Sequence, residues 1–147
     1  MSAAPPAPRE PTRLTQALLV GSGGACGAIA RFAILQPFPS ARTAFPAGTL
    51  VVNCIGSLLL GLLLGWLDSR TGINAPRWIR SFALAGFLGA FTTLSLVVVD
   101  HAILITAGRS LEALAFALIT IIGTVLIALG GIAVGTRIGG GDAEPAP

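Results

Sequence analysis

With 54% apolar and only 10% charged side chains, these 147 residues carry too few ionisable groups to cover a water-soluble globule. A mean hydropathy of +0.87 places the chain among proteins that cross a bilayer several times. The formal charge of +3 comes with no lysine, and arginine in a membrane protein encodes orientation; it does not mark a nucleic-acid partner. The chain holds one histidine and no GxSxG, HExxH or phosphate loop, so no enzyme is expected.

Residues 1–13 are Pro- and Ala-rich and read as a disordered tail. Charge-free runs follow at 14–30, 43–67, 81–99 and 113–136, and each is read as a transmembrane helix. The first run is short and must extend through Arg31 to span fully. No small-residue cleavage site with a soluble domain follows it, so this helix is expected to be retained. Arg31 lies near its end, where a long side chain reaches the headgroups.

On the second helix Asn53, Ser57, Gly61 and Gly65 recur every four residues and share one face. The glycines suit close helix contact, whereas the Asn53 carboxamide is costly in hydrocarbon unless it has partners. That face is either polar glue between helices or the wall of a pathway.

The third run is interrupted by Gly86-Phe87-Leu88-Gly89-Ala90-Phe91-Thr92-Thr93-Leu94-Ser95. Two glycines and two adjacent threonines favour leaving or bending the helix at mid-membrane. A bilayer tolerates this only where the segment is buried in protein or lines water. Carbonyls freed at Gly89 and Thr92 are oxygen ligands of the kind a hard cation prefers. Asp100 and His101 end this run, at the expected interface.

On the fourth helix Phe116, Thr120 and Thr124 form a stripe at i, i+4 and i+8. Its hydroxyls either bond back to the preceding turn or face a path. Residues 138–147, rich in Gly, Pro and acid, read as a second tail. Connections near 37–45, 69–78 and 105–110 are brief, so residues 14–137 should form one domain of antiparallel helices. Cys26 and Cys54 read as packing residues, and Trp66 and Trp78 as interfacial anchors. Four helices alone make a poor pore, which points to an oligomer.

Three segments together carry a family resemblance. They are Gly23-Gly24-Ala25-Cys26-Gly27-Ala28-Ile29-Ala30-Arg31-Phe32, the stretch from Pro46 through Asn53 to Ser57, and the interrupted third run. In this order they resemble the Fluc/CrcB fluoride channels, from about Leu14 to Arg137. The resemblance implies an all-α membrane protein of four transmembrane helices, forming an antiparallel dual-topology dimer in the cell membrane. It implies a passive channel that lets cytoplasmic fluoride ion leak outward. Asn53, Phe116, Thr120 and Thr124 then belong to the pore, with Ser57 on the Asn53 face and Arg31 attracting anions into a vestibule. A structural sodium, not transported, would be held by the Gly89 and Thr92 carbonyls of both subunits. Asp100 matches an acidic position of the family.

There are departures from the pattern. Ala90 replaces a glycine, Phe116 a tyrosine, and Leu94 and Val97 replace two phenylalanines whose ring edges meet the anion. This subunit should therefore line a path less well than most, which keeps open a non-conducting structural role. A proton-coupled exporter of the small multidrug type is the third reading, disfavoured because it needs an embedded carboxylate. Arg9, Arg13, Arg70, Arg77, Arg80 and Arg137 fall on one side, with only Arg42 and Arg109 opposite. Such bias predicts a fixed orientation with both termini in the cytoplasm, and so a heterodimer with an oppositely oriented paralogue in preference to a homodimer.

Overall fold

The computed structural model describes residues 12–71 and 76–140. Regular structure among them is entirely helical. It comprises α1 (Arg13–Leu35), α2 (Ala47–Thr71), a π-helix (Ile79–Leu88) leading into the short α3 (Gly89–Phe91), α4 (Leu94–Thr106) and α5 (Ser110–Gly140). Taking the π-helix through α4 together, four segments of 23, 24, 28 and 31 residues are long and apolar enough to cross a bilayer. The chain is a multi-pass membrane protein.

Three of the spans outrun their charge-free stretches at both ends, and α2, which starts only at Ala47, outruns its own at the far end, because a helix continues into the headgroup region where charge is tolerated. The first runs on through Arg31 to Leu35, and the last through Arg137 to Gly140. Ile138–Gly140 are thus helical, and Thr12 caps α1 by accepting from the Thr15 N–H at 3.3 Å. The remainder of both expected tails lies outside the described residues. Asp100 does not end its helix, which continues to Thr106. After α4 the chain turns at Gly108, whose φ of +74° suits glycine. The Arg109 N–H bonds the Leu104 carbonyl at 2.9 Å, which closes the helix end.

Packing is interleaved. α1 lies along the π-helix and α3, while α2 lies along α5. Both contacts bring backbone to backbone. A Cβ on Gly23 or Gly27 would collide with the Phe82 or Phe87 carbonyl. One on Gly61 or Gly65 would collide with the Ala128 or Ile132 carbonyl. Lipid tails are as apolar as leucine, so such close approach is what holds membrane helices together. Cys26 is an exposed free thiol and Cys54 a partly buried one.

A small apolar core of Val97, Leu104, Ala113 and Phe116 joins α4 to α5. Phe45 packs edge-on against Phe116, with ring centroids 5.8 Å apart. Beside it the Arg109 guanidinium donates to the Ala41 carbonyl at 3.0 Å and pairs with Glu112 at 2.6 Å, fastening the α1–α2 connection over the start of α5. Pairing with Glu112 holds the Arg109 guanidinium above its ordinary pKa, so it stays charged. Large apolar side chains such as Leu14, Leu111 and Leu126 point outward, as lipid-facing residues do.

Candidate functional site

Between α3 and α4 two residues leave the helix. Thr92 (φ −76°, ψ 153°) and Thr93 (φ −150°, ψ 113°) are both extended. They approach α2 at Gly56, where a Cβ would strike the Thr92 methyl. Asn53, one turn earlier on α2, grips the second of them. Its Oδ1 accepts the Thr93 N–H at 2.9 Å, and its Nδ2 donates to the Thr93 carbonyl at 3.2 Å and to the Thr49 carbonyl at 3.0 Å. The buried carboxamide is thereby satisfied, which removes its cost.

These bonds redirect the donors that a continuous helix would use. The Thr93 N–H belongs by i→i−4 pairing to the Gly89 carbonyl, yet it goes to Asn53. The Leu96 N–H belongs to the Thr92 carbonyl, yet it goes to Thr93 Oγ1 at 3.2 Å. Gly89 and Thr92 therefore both present carbonyls without their helical partner. The Thr92 hydroxyl is turned away, donating to the Leu88 carbonyl at 2.9 Å. Among the described residues no three His, Cys, Asp or Glu side chains cluster, so a cation here would rely on backbone oxygen.

Next to the junction is an open cavity of about 470 Å³. Asn53 and Ser57 of α2 line it with Thr92 and Thr93, and Thr120 and Thr124 of α5 face them. Leu94, Val97, Val98 and His101 of α4, with Leu60, Ala117 and Ile121, complete the wall. Thr120 Oγ1 is buried and has no hydrogen-bond partner. Thr124 instead donates back to the Thr120 carbonyl at 2.6 Å. So Asn53, Ser57, Thr120, Thr124 and Thr92, widely spaced in sequence, meet at one place.

The other site residues lie elsewhere. Phe116 is fully buried in the α4–α5 core and is not on the cavity wall. Arg31 is half-buried on α1, also off that wall, as is Gly89. Asp100 accepts from Thr49 Oγ1 at 2.5 Å, level with the first turn of α2, so it sits near one end of the bundle. Sequence reasoning missed Thr49 as its partner, although Thr49 and Asn53 are four residues apart on one face of α2. It also missed His101 as a wall residue, having read it as interfacial.

Comparisons with known proteins agree with one another. A family model described as "CrcB-like protein, Camphor Resistance (CrcB)" matches residues 18–132. A protein of Francisella philomiragia named fluoride-specific ion channel FluC is 37% identical over 71% of this chain and 82% of its own length. Proteins of the same name from Caulobacter sp. strain K31 and Methylobacterium sp. strain 4-46 are 33% and 36% identical. The first covers 85% of this chain and 98% of itself, the second 82% and 93%. With the match running through all four spans and the junction between them, the chain belongs to the CrcB-like family.

Proposed function

We propose that this chain is a subunit of a passive fluoride channel, through which cytoplasmic fluoride leaves the cell. The observation that carries this is the buried, unpartnered Thr120 hydroxyl on the wall of a cavity that Ser57, Thr124 and the Asn53–Thr93 bracket also line. Fluoride is small and strongly hydrated, so replacing its water takes donors of this kind. An unsatisfied buried hydroxyl costs about 1–3 kcal/mol, which a passing anion would recover. Asn53 acts here by holding Thr93 extended, and Arg31 draws anions toward the mouth.

The cavity lies open on one side, and a second subunit would close it. In our reading the extended pair Thr92–Thr93 marks a mid-membrane break where two antiparallel subunits cross. The carbonyls of Gly89 and Thr92, deprived of their helical donors, fit a sodium ion shared between subunits, which would pin the crossing. Arginine asymmetry favours an oppositely oriented paralogue as partner. A second reading, a scaffold subunit whose partner conducts, is favoured by the aliphatic Leu94, Val97 and Val98 on the wall.

Fluoride-electrode measurement of efflux from liposomes separates these readings. Efflux by this chain, alone or with the paralogue, supports a conducting subunit. Efflux only with the paralogue, unaltered when Thr120 is replaced by valine, assigns the scaffold role. No fluoride efflux in either arrangement removes the channel. Sodium withdrawal should weaken dimerisation in bilayers, since an ion bound only by the assembled state stabilises it.

A further inference from the structure

On the cavity wall α4 presents Leu94, Val97, Val98 and His101, one stripe at i, i+3, i+4 and i+7. The three aliphatic residues offer an anion no donor. His101 is the chain's one histidine, and among the described residues on this wall it is the only ionisable side chain. Its Nδ1 lies 3.1 Å from the Ala113 carbonyl oxygen of α5. A carbonyl only accepts, so Nδ1 carries a hydrogen and donates it. That bond selects the tautomer: the neutral ring keeps its lone pair on Nε2, and a second proton adds there.

The charged groups around the imidazole are already engaged. Asp100, next to it on α4, accepts from Thr49 Oγ1. Glu112, beside Ala113 on α5, is paired with Arg109. From α2 the facing groups are Asn53 and Ser57, and from the α3–α4 junction Thr92 and Thr93, all uncharged.

We propose that His101 is an anion-contacting residue of this cavity, switched on by protonation at Nε2. Neutral, the ring turns a lone pair toward an anion and repels it. Protonated, it offers a charged N–H, a stronger donor than the neighbouring hydroxyls. The inference rests on the channel reading above and adds to it an acid-dependent contact on α4. Flux past this wall therefore rises once the medium is acid enough to charge the ring.

The test uses the full chain in liposomes, alone and with an oppositely oriented paralogue, with leak through protein-free vesicles subtracted. Fluoride efflux should be about fivefold greater near pH 6 than near pH 8, as one added charge close to the path implies. In His101→Gln, whose amide can still donate to the Ala113 carbonyl, that ratio should fall to near one. Because the histidine is single, isotope labelling of imidazole gives one resonance to follow in wild-type protein. Fluoride should displace it near pH 6 far more than near pH 8, and chloride at equal ionic strength should not. An equal pH ratio in wild type and His101→Gln, or a resonance indifferent to fluoride at both pH values, overturns the role of His101. Absence of fluoride flux at either pH overturns the channel reading instead, and the resonance then reports on the anion site alone.

Discussion

At the scale of single residues, hydroxyls that look alike in sequence divide by where their hydrogen goes. Thr124 and Thr92 spend theirs on carbonyls of the preceding turn, and of the three Thr120 alone keeps its own free in a buried setting. Thr120→Val replaces that hydroxyl with a methyl of the same shape. Removing an unsatisfied group is neutral or stabilising, so assembly should persist, while fluoride flux should drop about tenfold for the lost donor to a charge. Size-exclusion and liposome efflux on the same preparation check both halves. Leu94 is 75% exposed, whereas Val97 is buried at 8%, so the two aliphatic departures are unequal. Leu94→Phe should be accommodated and raise flux by supplying a ring edge to the path. Val97→Phe should instead overpack the α4–α5 core at a cost of about 1–3 kcal/mol, measurable by thermal unfolding.

Among elements, the four spans were legible in the sequence because apolar length and charge spacing report them directly. Their partners were not. Glycines at four-residue spacing mark a contact face without naming what lies against it, and Gly61 and Gly65 look no different from Gly23 and Gly27. The part played by Asn53 was hidden for a related reason, since it holds a backbone 40 positions away. What spacing did expose was its shared face with Ser57. Gly89 shows the opposite case: its backbone is ordinary right-handed helix (φ −63°, ψ −33°), and an added Cβ would meet nothing closer than the Leu84 carbonyl at 3.8 Å. Gly89→Ala should therefore leave the subunit folded, and any harm should appear only on dimerisation. Gly27→Val should unfold the subunit itself, because its side chain enters the Phe87 carbonyl. Comparing monomer stability with dimer yield for the two variants distinguishes intra-chain from inter-chain packing.

For the whole molecule, the arginine asymmetry makes a statement about insertion. Cysteine tags placed at the two termini should be labelled from one side of the membrane only; equal labelling from both sides would mean dual topology and a self-pairing subunit. The interleaved pairing has a consequence for how the chain is made. α1 waits for the third span, and α2 waits for α5, so neither contact can close in the order of synthesis without another helix emerging between its members. Until α5 leaves the ribosome, the Gly61 and Gly65 face of α2 has only lipid or the insertion machinery against it. A chain cut short in α5 would thus be released with its first pair formed and its second missing, and quality-control proteases should clear it at once. Helix α5 is the clasp, and the subunit cannot mature piecemeal.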